Sequence, residues 1–196
     1  APLFDQVEPV LDERGRKHLF STTKAPLKDP RGSVIGTIGI SRNVTERIKT
    51  DRQLKESYAK LEKTIDGIIY TMARIVETRD PYTAGHQQRV ASLSRAIAKR
   101  MGLSDEQVYY THLAAVVHDI GKIYVPAEIL SRPGRLSDIE YSLIKSHTKL
   151  GFEILKTIDF PYPIATIVLQ HHEHLDGSGY PAGLKAKRIM PEARII

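Results

Sequence analysis

The chain contains no cysteine. Disulfides and thiolate metal sites are therefore excluded, and any metal must rest on nitrogen and oxygen ligands. No apolar run is long enough to span a bilayer, and no signal-peptide pattern opens the chain. The expectation is a cytoplasmic chain with no membrane segment of its own, an anchor upstream in the parent protein staying open. A dense basic arm is missing too. The net charge is +6, but Lys and Arg are scattered, so the balance suits an anionic ligand and does not indicate a nucleic-acid partner. A length of 196 residues allows one full domain and a piece of another. The chain opens without Met and stops at Glu192-Ala193-Arg194-Ile195-Ile196, which reads as the inside of an element, so the expectation is a fragment cut at both ends.

What is present falls into three stretches. Residues 1–42 are β-rich: Lys17 to Pro26 alternates loosely, Asp29-Pro30-Arg31-Gly32 signals a turn, and Val34 to Ile40 reads as a second strand. Asn43 followed by Glu46 resembles a capping box and opens a helix predicted to run to about Thr78. Leu54, Leu61, Ile68 and Ile75 recur every seven residues, with Tyr58, Ile65 and Met72 between them. This a/d pattern predicts a parallel coiled-coil homodimer. A long helix packed on its own domain fits the same pattern, especially beyond Ile65. The expected organisation is a β piece over 1–42, a signalling helix over 43–64 and a mainly α output domain over 65–196.

In the output stretch, Asp80-Pro81 ends the long helix. A second helix is predicted from about Thr83 to Met101, with His86, Val90, Leu93 and Ile97 on its apolar face and Gly102 closing it. Ser104-Asp105-Glu106-Gln107 starts the helix that carries His118 and Asp119. His112 falls on another of its faces. Ser137-Asp138-Ile139-Glu140 starts a helix whose inner face is read as Leu143, Ile144, His147, Leu150, Ile154 and Ile158. A last helix with Ile164, Ile167 and Val168 ends at His171-His172-Glu173, before the loop Asp176-Gly177-Ser178-Gly179-Tyr180-Pro181.

Val117-His118-Asp119-Ile120-Gly121-Lys122 is the centre of this arrangement. Imidazole and carboxylate are ligands for borderline transition metals, and a Lys beside them supplies the positive charge that phosphate chemistry needs. The pair alone is equally well read as a satisfied buried His next to a helix-capping Asp. Four successive helices, however, each bring a His to or beside the apolar face: His86, His118, His147 and His171/His172. Each buried imidazole would otherwise need a separate partner. An N/O set of this size suits two first-row ions such as Fe, Mn or Zn better than one structural zinc.

Two resemblances follow from these residues. Residues 1–42 and the exit through Asn43-Val44-Thr45-Glu46-Arg47 resemble the last strands of a PAS sensor domain. His118-Asp119-Ile120-Gly121-Lys122, followed by His171-His172-Glu173-His174-Leu175-Asp176-Gly177-Ser178-Gly179-Tyr180-Pro181, resembles the HD-GYP family of bacterial cyclic di-GMP phosphodiesterases, and the likeness runs from about Ile65 to the end. It implies an HD-superfamily helical bundle hydrolysing cyclic di-GMP to linear pGpG. It implies two divalent ions on His86, His118, Asp119, His147, His171 and His172, with Asp119 bridging. Lys122 would then bind the scissile phosphate. Asp176, Gly177, Gly179, Tyr180 and Pro181 would shape the substrate rim or a surface for a GGDEF-domain partner.

Tyr82 stands where some members carry a third-metal Glu. That implies a binuclear site that stops mainly at pGpG. A further ligating Asp is expected just past Ile196. The alternatives are a cyclic-dinucleotide receptor without turnover and an HD phosphohydrolase acting on another nucleotide.

Overall fold

The computed structural model describes residues 3–80 and 85–196, the first two as backbone only. It divides into two compact units, Ala1–Thr64 and Ile65–Ile196.

The first unit is an antiparallel meander of β1 (Leu3–Leu11), β2 (Lys17–Lys28) and β3 (Val34–Asn43), with β2 in the middle. Both hairpin turns use one device. Asp12 accepts from the backbone N–H groups of Arg14 and Arg16 at 2.9 and 2.8 Å, and Gly15 takes a φ of 73°. Asp29 does the same with Arg31 and Ser33 at 2.9 and 2.8 Å, beside Gly32 at φ 83°. An Asp side chain replaces a backbone acceptor and a glycine supplies the left-handed residue. The second turn is legible in the sequence as Asp29-Pro30-Arg31-Gly32; the first carries no such proline-marked signal there, and β1 is a strand that the structure adds.

Helix α1 (Thr45–Glu77) is about 50 Å long at 1.5 Å per residue. Asn43 Oδ1 accepts from the Thr45 N–H at 3.0 Å and from its hydroxyl at 2.7 Å, so the start rests on a two-residue link and not on a box with Glu46. Leu54, Tyr58, Leu61, Ile65, Ile68, Met72 and Ile75 are all exposed along it. In its last turns a different face is engaged: Ala73 and Val76 are buried, with Ile69 and Tyr70 against the core.

The second unit is mainly helical: α2 (His86–Arg100), α3 (Asp105–Val117), a 3-10 turn (Ile120–Tyr124), α4 (Ala127–Leu130), α5 (Asp138–Lys145), α6 (His147–Leu155), α7 (Ile164–Gln170) and α8 (Pro191–Ile195). The core forms around α3, whose Leu113–Val117 are all buried. Ser104 and Ser137 make full capping boxes with Gln107 and Glu140. Two predicted faces need correction. On α2 the buried residues are Gln87, Ala91, Ser94 and Ala98, while Leu93 is exposed. The single helix expected after Ser137 is broken at Ser146 into α5 and α6, and Leu143 and Ile158 are exposed. Within α6, His147, Thr148, Gly151 and Leu155 are buried and Ile154 packs against the core.

Candidate metal centre

Four element ends converge inside the second unit. His86 opens α2, His118 follows the last residue of α3, His147 opens α6, and His171 and His172 follow α7. Two adjacent residues in a continuing helix point about 100° apart. Here α3 stops at Val117 and Asp119 takes φ −94°, ψ 7°, which turns both side chains toward one spot. Their Nε2 and Oδ2 atoms lie 3.3 Å apart, and both residues are buried.

Two groups of ligand-type atoms form there, each within 4.8 Å of one another: His86, His118 and Asp119, and His147, His171 and His172. Asp119 stands between them. Its Oδ2 faces His118 and its Oδ1 lies 3.5 Å from His147 Nε2. The His118 and His171 rings are 5.2 Å apart, as are those of His147 and His171.

Backbone carbonyls decide which nitrogen of each ring faces inward. His118 Nδ1 meets the Ala115 carbonyl at 2.7 Å, and His147 Nδ1 meets that of Ile144 at 2.6 Å. His171 Nδ1 meets that of Val168 at 2.6 Å. A carbonyl only accepts, so Nδ1 carries a proton, and whenever the ring is neutral Nε2 presents its lone pair. The consequence is two such lone pairs, on His147 and His171, facing each other at 3.2 Å. Two such lone pairs repel, and a cation shared between them would make the contact favourable. The donor set and its orientation thus fit divalent transition ions.

Electrostatics point the same way. Burial pushes His147 and His171 down, the latter well below the usual imidazole range, and brings His172 down to about 4. All three are neutral at neutral pH, the state in which imidazole ligates. For His118 burial also acts downward, but the Asp119 carboxylate outweighs it and the net shift is upward. Burial would raise Asp119, yet His118 and Lys122 hold it well below the usual carboxylate range. Lys122 Nζ lies 2.9 Å from Asp119 and 3.3 Å from Asp80. Burial lowers it, and those carboxylates more than reverse the effect.

The glycine-rich loop borders this centre. Asp176 Oδ1 accepts from the Ser178 N–H at 2.9 Å and its hydroxyl at 2.7 Å, so its carboxylate shapes the loop from within. Gly177 has φ 86°. A Cβ on Gly179 would sit 2.3 Å from the His174 nitrogen, so the chain passes too closely for any side chain. Tyr180 stacks on the His172 ring at 4.7 Å. Pro181 follows, and the buried Glu173 accepts from the N–H groups of Ala182 and Leu184, each at 2.7 Å.

His86, His118, Asp119, Lys122, His147, His171, His172 and Tyr180 therefore share one locality. His112 lies apart, bonded to the Tyr70 hydroxyl and the Ala91 carbonyl. Tyr82 falls outside the described residues. Sequence reasoning passed over the partnership of Asp80 with Lys122 and the anchoring role of Glu173. Neither has a spacing signal, though a carboxylate at the end of a His-His-Glu run was a cue for the second.

Residues 70–196, which include the His118-Asp119 pair and the further imidazoles, match the HD-domain model. The chain belongs to the HD-domain family. Residues 1–49 match the PAS fold. Among curated proteins, the chain is 36% identical over 159 residues to the cyclic di-GMP phosphodiesterase response regulator RpfG of Xanthomonas campestris pv. campestris (strain 8004), covering 80% of this chain and 42% of that protein. It is 40% identical over 148 residues to a cyclic di-GMP phosphodiesterase of Thermotoga maritima, covering 74% of this chain and 40% of that one. A 3'3'-cGAMP-specific phosphodiesterase 1 of Vibrio cholerae matches at 39% over 132 residues, 67% of this chain and 31% of that protein. The chain thus spans well under half the length of each of these relatives.

Proposed function

We propose that the protein is a metal-dependent phosphodiesterase of the HD-GYP branch that opens cyclic di-GMP to linear pGpG, as the output of a bacterial signalling protein. The observation that carries this reading is Asp119, with one carboxylate oxygen toward each of two imidazole groups and Lys122 alongside. Two divalent ions, Fe, Mn or Zn, would be held by His86, His118 and Asp119 and by Asp119, His147, His171 and His172. Such ions supply Lewis acidity that lowers the pKa of a water and clamps the attacking and leaving oxygens of the ester. The carbonyl-locked imidazoles keep their Nε2 lone pairs aimed inward, and Asp119 sets the spacing between the groups. Lys122 places its ammonium where charge grows on the phosphoryl oxygens. The Tyr180 loop, tied down by Glu173, forms the rim on which the nucleotide lies.

The deciding assay is chromatography of cyclic di-GMP incubated with the chain and Mn²⁺ or anaerobic Fe²⁺. Release of pGpG by the wild type, with none from an Asp119 variant, is the expected result. Intact cyclic di-GMP in both samples would sink the reading, and tight binding without turnover would point to a receptor. Accumulation of GMP would show that cleavage continues past pGpG. The relative named for 3'3'-cGAMP favours one competing substrate, and equal or faster turnover of that dinucleotide in the same assay would reassign the specificity. Lys122→Ala should keep its metal, read by elemental analysis, while turnover falls about 100-fold, the scale of losing one charged donor in a transition state. Loss of metal in that variant would make Lys122 structural.

The surrounding layout belongs to the same proposal. Residues 1–42 would be the end of a PAS sensor, 43–64 the signalling helix and 65–196 the catalytic domain, working in the cytoplasm, with a GGDEF domain as a candidate partner. Among the described residues no helix is long and apolar enough to cross a membrane. The exposed heptad residues of α1 would pair with a second copy. Light scattering should then give twice the 22.0 kDa chain mass, and Leu61→Asp should halve it. A monomer at high wild-type concentration rules the pairing out.

A further inference from the structure

Lys145 ends α5, two residues before His147. It is partly buried, and its Nζ sits 4.3 Å above the Tyr141 ring and 5.5 Å from the Tyr180 ring. Tyr180 in turn lies flat on His172, with an interplanar angle of 22°. The ammonium is thus held at the rim of the candidate metal centre on two aromatic faces. Among the described residues it has no carboxylate within ion-pair distance, whereas Lys122 has two. Aromatic quadrupoles orient a cation without neutralising it, so the charge stays available for an anion. The rings also restrict a side chain that would otherwise lose much rotational freedom on binding.

A cyclic dinucleotide carries two phosphodiester groups. The metal ligands and Lys122 account for the one that is cleaved. We propose that Lys145, supported by Tyr141 and Tyr180, contacts the second, uncleaved phosphate and so selects cyclic dinucleotides over simple phosphodiesters. This rests on the dinucleotide reading above. A different role, as a prop that merely holds the Tyr180 loop against α5, makes a different prediction, because a prop serves every substrate alike.

The test compares the full chain, Mn²⁺-loaded, with Lys145→Met, which keeps the stem and loses the charge, and Lys145→Arg, which keeps the charge. Each is assayed on cyclic di-GMP and on bis(p-nitrophenyl) phosphate, which has a single phosphodiester. Lys145→Met should lose about 30-fold in kcat/KM on cyclic di-GMP, chiefly through KM, the range of a hydrogen bond to a charged group. It should stay within about threefold of wild type on the small ester, and Lys145→Arg should recover most of the loss. Equal losses on both substrates, or no loss on cyclic di-GMP, would overturn the proposal.

A wild type that cleaves the small ester but not cyclic di-GMP would defeat the parent reading on its own. Calorimetric binding of cyclic di-GMP then decides: about 30-fold weaker binding by Lys145→Met sustains the contact. Equal affinity of wild type and variant, or no binding by either, ends it.

Discussion

Asp119→Ala should strip the protein of bound metal and lower phosphodiester turnover by about a thousandfold or more, equivalent to about 4 kcal/mol of transition-state stabilisation. The reason lies in how much converges on this carboxylate. One oxygen faces His118 at 3.3 Å and receives Lys122 at 2.9 Å, and the other faces His147 at 3.5 Å. Removing it unlinks the two imidazole groups and leaves Lys122 with Asp80 as its remaining carboxylate. Elemental analysis of the purified variant and product chromatography check the two halves of the expectation. A third measurement needs no turnover. A ligand that binds only the folded state raises the melting temperature, so Mn²⁺ should stabilise the wild type and leave Asp119→Ala unmoved. Asp119→Asn keeps the shape and removes the charge. If that variant still binds and is stabilised by metal, the carboxylate is a packing element and its assignment as a bridging ligand fails.

Gly121→Ala should cost about 3 kcal/mol or more in unfolding free energy, at or above the upper end for overpacking. A Cβ there would lie 2.0 Å from the His147 carbonyl oxygen and 2.6 Å from the Gly151 nitrogen. These are backbone atoms and cannot rotate aside. The 3-10 turn and the start of α6 would have to separate, and His147 would move with α6. Metal affinity should therefore fall in the same variant, which links this glycine to function through position and not chemistry. Gly67→Ala is the matching control. It lies within α1 with nothing within 4 Å of the added carbon, so it should stabilise by roughly 0.5–1 kcal/mol through helix propensity alone. Denaturant midpoints for the two variants should move in opposite directions. A Gly121→Ala midpoint equal to wild type would show that the close approach is relaxed in solution.

Much of this protein was legible in its sequence because the signals were local. Ser104 with Gln107 and Ser137 with Glu140 are caps whose geometry depends on three residues of chain, and both are present. Gly102 ends α2 at φ 76° for the same kind of reason. The motif beginning at His118 and the run from His171 to Pro181 pointed to the family and to most of the residues that meet. Local signals failed where phase mattered. Nothing local announces that α5 stops at Ser146, or that Leu143 and Ile158 stay exposed while His147 is buried and Ile154 packs against the core.

Only the tertiary structure decided the rest. That His118 and Asp119 face one spot follows from α3 ending between packed neighbours, since an unbroken helix would turn them apart. The inward direction of each Nε2 depends on carbonyls of Ala115, Ile144 and Val168 that claim Nδ1. Asp80 reaches Lys122 across 42 residues of chain, and Lys145 reaches Tyr180 across 35, counted from 145 to 180. Periodicity reports which face of an element is apolar. It carries no information about which distant side chain completes a charge, because that partner is chosen by packing.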